Sequence, residues 1–277
     1  MDYGRPIKFG CFLIPDATNP QRALELATLA DDLGFDLIGV QDHPYQRRFY
    51  DTWTLLTAIA MRTKRIGVFP DVANLPLRPP AVLAKAAASL DLLSGGRVEL
   101  GLGAGGFWDA IKAMGGPVRT PGESVKALEE AIQVIRLIWS GERGLRFDGE
   151  FYQLAGAHSG PVPAHPIGIW VGAYKPRMLA LIGRLADGWV PSLGYLKVQE
   201  LADAAARIDE AAVAAGRAPS AIRRIVNVGD VSAEELAALA LEQGFDSFMI
   251  GEDQMSRFAS EVAPAVRELV TAGRGSR

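Results

Sequence analysis

Of the three histidines in this chain, His43 stands where a proton could be moved. An imidazole titrates near neutrality and can act as general acid or base at pH 7. Asp42 precedes it, a carboxylate expected to fix the ring's tautomer. His158 and His165 fall instead in an irregular stretch rich in Gly and Pro. A second group of interest is Gly172-Ala173-Tyr174-Lys175-Pro176-Arg177, where a strand runs into a helix. Free amides at a helix start attract phosphate, and Lys175 and Arg177 add positive charge. The third is Gly101-x-Gly103-x-x-Gly106, which matches the dinucleotide pattern but follows the fourth strand rather than the first of a βαβ unit. Its glycines are better read as letting backbone approach a flat ring, or as lying flush against a neighbour. Nothing has the spacing of a metal site, a serine-hydrolase elbow or a P-loop.

These residues need strands to carry them. Apolar, β-branched runs alternate with helical-period runs from end to end. Strands are expected over 7–13, 36–41, 65–72, 97–103, 167–172, 188–191, 223–228 and 246–250. Helices are expected from Asn19 as cap to a stop at Gly34, then over 52–61, 80–93, 120–139, 176–185, 197–214, 233–243 and 255–271. Thr120 with Glu123 reads as a capping box. The segment 141–165 breaks the pattern, with a hairpin-like run over 146–152. Eight strand–helix units in about 35 residues each predict an α/β fold, a (β/α)8 TIM barrel with an irregular insertion around 141–165, in one domain over 1–277. A doubly wound open sheet is the competing architecture.

In such a barrel the carboxyl ends of the strands carry the site. That rule selects Gln41, Asp42, His43 and Tyr45 after the second strand, and Asp71, Val72, Ala73 and Asn74 after the third. It selects Gly103 to Asp109 after the fourth, Gly172 to Arg177 after the fifth, and Trp189, Pro191 and Ser192 after the sixth. Phe12, Tyr45, Phe107, Trp108 and Trp189 would line the substrate pocket, with the insertion closing it. That lining suggests a hydrophobic organic substrate.

The 277 residues carry 29 basic and 32 acidic side chains, mixed along the chain, for a net charge of −3. No basic stripe suits nucleic acid. No run approaches the ~20 apolar residues that span a bilayer, and the first residues lack a signal-peptide core. The single cysteine, Cys11, cannot form an internal disulfide. A cytoplasmic protein is expected.

The run Leu90-Asp91-Leu92-Leu93-Ser94-Gly95-Gly96-Arg97-Val98-Glu99-Leu100-Gly101-Leu102-Gly103-Ala104-Gly105 resembles the signature of the bacterial luciferase-like oxidoreductases. Arg78-Pro79-Pro80-Ala81-Val82-Leu83-Ala84-Lys85 resembles the helix before it. Phe147-Asp148-Gly149-Glu150-Phe151-Tyr152, Trp170-Val171-Gly172-Ala173 and Ala186-Asp187-Gly188-Trp189 match further blocks of that family, in order. The resemblance implies a barrel that binds FMN or the deazaflavin F420 at the strand C-termini. Members pass hydride between cofactor and a small-molecule substrate, or use reduced flavin with O2. Asp42-His43 is similar to the Asp-His pair of the F420-dependent branch, whose histidine lies by the ring. Asp71–Val72 falls where the family carries a non-prolyl cis peptide. Ala173, Tyr174 and Lys175 match the phosphate loop, and Asp109 falls near a position that contacts the cofactor. Family members are often dimers, so a homodimer is expected.

Two departures stand out. The F420-dependent sugar-phosphate dehydrogenases carry a glutamate where this chain has Gly106, so their substrate does not transfer. The link from Val228 through Gly229 and Asp230 to Ser232 is shorter than usual, which would open one side of the site. Two other function classes stay open at this point. One is a barrel that binds such a cofactor and catalyses nothing. The other is a non-redox lyase or isomerase using Asp42 and His43 as acid and base.

Overall fold

The computed structural model describes residues 2–276; the outermost residue at each end of the expected 1–277 domain lies outside them. In chain order the elements begin β1 (Lys8–Leu13), α1 (Arg22–Asp32), β2 (Leu37–Val40), α2 (Thr52–Arg62), β3 (Gly67–Pro70), β4 (Ala73–Asn74), α3 (Pro80–Ser94), β5 (Leu100–Gly103), α4 (Trp108–Ala113) and α5 (Pro121–Trp139). They continue β6 (Leu145–Asp148), β7 (Gln153–Ala157), β8 (Ile169–Val171), α6 (Pro176–Leu185), β9 (Gly188–Trp189), α7 (Val198–Ala214), β10 (Arg223–Asn227), α8 (Ala233–Gln243), β11 (Ser247–Gly251), α9 (Met255–Arg257) and α10 (Ala263–Gly275).

The main sheet runs β3-β2-β1-β11-β10-β9-β8-β5-β4, and every pair in it is parallel. β3 and β4 are two pieces of one strand, interrupted at Asp71–Val72. β3 pairs with β2, β4 pairs with β5, and a bridge joins Val68 to Val98, so the two ends of the sheet meet. The result is the expected (β/α)8 barrel. Its strands are buried on both faces, as a parallel sheet wrapped in helices requires.

Two cores hold it. The larger lies between strands and helices. The smaller fills the lumen with Leu37, Phe69, Trp170, Val190, Ile225 and Met249. Large side chains there face strand glycines: a Cβ on Gly10 would meet Met249 Sδ at 2.3 Å, and one on Gly188 would meet Trp170 Cδ1 at 2.5 Å. Large against small is how so narrow a lumen is filled without overpacking.

Local signals were followed closely where they involved a short-range hydrogen bond. Thr120 and Glu123 form the expected capping box at the start of α5. α1 is the exception. It starts at Arg22, not at Asn19, because Asp16 Oδ1 accepts from the N–H and hydroxyl of Thr18 and holds 16–21 in turns. α4, a short helix after β5, was not anticipated. The C-terminal helical stretch is broken by a π turn at Phe258–Val262 and ends at Gly275 rather than at 271.

The insertion is the hairpin β6–β7. Buried Glu130 on α5 accepts the N–H groups of Glu150, Phe151 and Tyr152 at 2.8–3.1 Å and pins the hairpin's tip. Fully buried Asp91 on α3 takes the N–H groups of Ala164 and His165, so His165 belongs to this anchorage and not to the site. Among the described residues no helix is long and apolar enough to cross a membrane, and no cluster of His, Cys, Asp or Glu could hold a metal ion.

Candidate active site

A cavity of about 230 Å³ opens at the C-terminal ends of the strands. Gln41, His43, Asp71, Val72, Gly172, Asn227 and the Val190–Ser192 run contribute to its wall, with Phe12 at one side. It joins a trough of about 500 Å³ through shared residues Gly172, Ala173 and Tyr174. The trough continues past Gly105 and Trp108 to the start of α6, where Lys175, Pro176 and Arg177 line it.

The floor between the two is set by Val72. The Asp71–Val72 peptide is cis, as the resemblance implied. A Cβ on Gly103 would lie 2.8 Å from Val72 Cγ2, and one on Gly172 would lie 3.0 Å from the same atom. Both glycines therefore lie flush against a neighbour, and larger residues would push Val72 out of place. This is the physical reason for glycine at position 103 in β5 and at position 172 after β8.

His43 is half-buried on the cavity wall. Its Nδ1 hydrogen-bonds the Tyr45 hydroxyl. Phe107 meets the ring edge-on, with centroids 5.4 Å apart. Burial holds the imidazole below its ordinary value, with the Asp42 charge opposing more weakly. The ring is thus neutral at pH 7 and free to accept a proton. Burial also pushes the Tyr45 hydroxyl up to about 12, so it stays protonated.

Asp42 has other partners than the expected one. Arg78 Nε and Nη2 each donate to it at 2.7 Å, and the Asn74 N–H donates at 2.8 Å. Arg78 also reaches Asp51, the N-cap of α2, at 2.7 Å. Asp42 thus ties the loop after β2 to the loop after β4, and the Tyr45 hydroxyl, not Asp42, is the hydrogen-bond partner of the His43 ring.

A second polar group on the cavity wall is Asp71. Its Oδ1 accepts from Asn227 Nδ2 at 3.3 Å, and the same amide donates to Ser192 Oγ at 3.0 Å. Asp71 Oδ2 and Asn227 Oδ1 are buried without a hydrogen-bond partner. Complete burial pushes the Asp71 carboxyl up to about 7, against a weaker opposing pull from the Asn227 amide. Asn227 is the last residue of β10, so the strand-end rule could have found it; it was not selected from the sequence. Tyr195 was also missed: its ring stacks on Tyr174, with centroids 6.0 Å apart and planes 4° from parallel, at the cavity rim.

Several expected site residues lie apart from both chambers. Trp189 does not line the pocket: it is fully buried toward the helices, donates Nε1–H to the Ala173 carbonyl at 2.8 Å and packs on Phe245. Ala73 is fully buried within the sheet, opposite Leu102, and lines neither chamber. Asp109 is exposed in the first turn of α4 and lines neither chamber. Tyr45 and Phe107 support His43 rather than line the cavity, and Trp108 lines the trough.

At the start of α6 the amides of Arg177 and Met178 precede the first intrahelical bond, which Leu179 makes to the Lys175 carbonyl. Pro176 occupies the first turn and has no N–H to lose. Two amides, a helix dipole and two cations thus converge on one end of the trough.

A profile of the luciferase-like monooxygenase family matches residues 6–235. The chain belongs to that family. It is an oxidoreductase of the luciferase-like kind. One relative, an F420-dependent glucose-6-phosphate dehydrogenase of Gordonia bronchialis, is 32% identical over 258 residues, which cover 85% of this chain and 71% of that protein. A 5,10-methylenetetrahydromethanopterin reductase of Archaeoglobus fulgidus is 34% identical over 201 residues, 71% of this chain and 56% of the reductase. Among solved structures, an F420-dependent secondary alcohol dehydrogenase in complex with an F420–acetone adduct superposes with a TM-score of 0.84 at 20% identity, over 95% of this chain and 100% of that one. The likeness of that structure to this luciferase-like chain is one of fold.

Proposed function

We propose that this protein is an F420-dependent oxidoreductase that exchanges a hydride with a small organic substrate, His43 moving the accompanying proton. The observation that carries the reading is a pair of adjoining spaces, the cavity at His43 and Asp71–Val72 and the trough that reaches the start of α6, which share Gly172, Ala173 and Tyr174. They are the two compartments that a flat ring with a phosphorylated tail requires. The residues suit such a cofactor: the Val72 side chain, seated on Gly103 and Gly172, makes a flat apolar floor, and Asp71 and Asn227 each offer an unsatisfied buried acceptor. F420 is preferred to FMN because the Gordonia bronchialis relative, like others at 31–33% identity, is named as F420-dependent. FMN would use the same compartments.

When bound, the cofactor supplies a ring carbon that accepts or returns a hydride. The chain does the rest. Gly172, Ala173 and Tyr174 would flank the ring, and Lys175, Arg177 and the α6 amides would hold the tail. The apolar wall of Phe12, Val72 and Val190 excludes water from the reacting end. His43, neutral at pH 7, takes the proton that an oxidised substrate gives up, while the Tyr45 hydroxyl, paired with Nδ1, holds the ring in place. Asp42 is a positioning residue that braces the loop carrying His43.

The test is equilibrium titration of pure protein with F420 and with FMN. F420 is expected to bind at least about tenfold more tightly. Tighter FMN binding would move the protein to the flavin side of the family, and binding of neither would remove the redox reading.

A further inference from the structure

We infer that the substrate is uncharged and largely apolar, and that its apolar body occupies an annex opening off the His43 cavity between the ends of β1, β9, β10 and β11. The inference rests on the redox reading above and names the substrate class for that site. The annex has a volume of about 300 Å³. It shares Phe12, Ser192, Tyr195 and Asn227 with the His43 cavity, so the two spaces adjoin. Beyond these it is lined by Val228, Met249 and the backbone of Gly194, Gly229 and Gly251.

Three observations define what fits there. The first is charge. Among the described residues no lysine or arginine lines either space, and the ionisable groups present are His43, Asp71 and tyrosine hydroxyls. A phosphate dianion would lose its water and gain no cation there, and Asp71 would repel it whenever ionised. Lys175 and Arg177 lie in the trough, at the other end of the site. A sugar phosphate, the substrate in the name of the Gordonia bronchialis relative, is therefore a poor occupant.

The second is polarity. Gln41, His43, Asp71, Ser192 and Asn227 gather in the first cavity, whereas the annex adds Val228, Met249 and glycine backbone. One polar end at His43 and an apolar body in the annex match that division. The third is the origin of the space. Only Val228–Ser232 connect β10 to α8, and nothing lies within 4 Å of a Cβ built on Gly229 or on Gly194. The annex exists because two loops carry glycine and one of them is short.

The same glycines supply the test. Neither has a positive φ, so a side chain can be added without backbone strain. F420-saturated protein would be titrated with N-phenyl-1-naphthylamine, a neutral apolar fluorophore, and separately with glucose 6-phosphate. The fluorophore is expected to bind saturably, and glucose 6-phosphate at about 10 mM is expected neither to displace it nor to raise the melting temperature. Gly229→Phe and Gly194→Phe, made separately in different loops, should each weaken fluorophore binding at least about tenfold while the F420 dissociation constant stays within about threefold. Two variants guard against one failing to fold. Displacement by glucose 6-phosphate, or unchanged fluorophore affinity in both folded variants, would overturn the annex assignment. Failure of the wild-type protein to bind either F420 or FMN would overturn the redox reading instead, and the fluorophore arms would still report on the annex without cofactor.

Discussion

Arg78 grips both carboxylate oxygens of Asp42, Nε on one and Nη2 on the other, each at 2.7 Å. The Asp42 side chain is fully buried and that of Arg78 is 17% exposed. Removing one partner strands a charge in a place water does not reach. Arg78→Ala is therefore expected to cost about 3–5 kcal/mol of stability. The double variant Asp42→Asn/Arg78→Met should lose less than the two single changes added together. Urea unfolding of the four proteins measures the coupling, and additivity within about 0.5 kcal/mol would show that the pair does not act as a unit.

Asp71 sets a pH dependence of opposite sense from that of ordinary carboxylates. Its folded value, about 7, lies above the ordinary carboxyl value of 3.8 because burial disfavours the charge. The stability it contributes as a neutral acid is fully present below about pH 4 and is lost as pH rises through about 7. Asp71→Asn keeps the shape and removes the titration. Its stability relative to wild type should rise between pH 4 and pH 8, by at most about 4 kcal/mol. Thermal unfolding at pH 5 and pH 8 measures the difference; the same gap at both values would mean that Asp71 is ionised throughout.

The phosphate end of the trough makes a separate prediction. Lys175→Ala should weaken F420 binding by about 1–3 kcal/mol, the worth of one charge-assisted hydrogen bond. Arg177→Ala should act in the same direction. A ring analogue without the phosphorylated tail should bind both variants as it binds the wild type. Equal losses for both ligands would place the two cations elsewhere in the mechanism.

His43→Asn removes the titration and keeps one hydrogen-bonding group. It should reduce kcat by about 10²–10⁴-fold and leave the F420 dissociation constant within a few-fold. In the direction in which substrate loses a proton, wild-type kcat/KM should fall as pH drops through the depressed value of His43, below 6.5. His43→Asn should lack that limb. Tyr45→Phe, which leaves Nδ1 without its hydroxyl partner, should lower kcat while retaining the limb. A wild-type profile flat below neutrality, with kcat unchanged in His43→Asn, would exclude the histidine from proton transfer.

The sequence by itself determined the order of strands and helices, because each is written in local periodicity, caps and turn residues. The capping box at Thr120, the hairpin within 141–165 and the glycines of β5 were all legible from neighbours a few positions apart. So was the placement of His43 and the 172–177 loop at strand C-termini, where they line the two chambers. Contacts between distant segments were not legible. Arg78 lies 36 residues from Asp42, and adjacency in the chain pointed to His43 as that carboxylate's partner instead. Trp189 stands at a strand end, but β9 has two residues, and an alternation of two cannot be phased until neighbouring strands fix which side faces the lumen. The same holds for Asn227, which becomes part of a site only when β10 closes next to β9 and brings it within 3.3 Å of Asp71, 156 residues away. The annex, finally, is empty space between four strand ends and two loops. No residue encodes it alone; the closed sheet decides that those ends meet and that Gly194 and Gly229 leave the gap between them open.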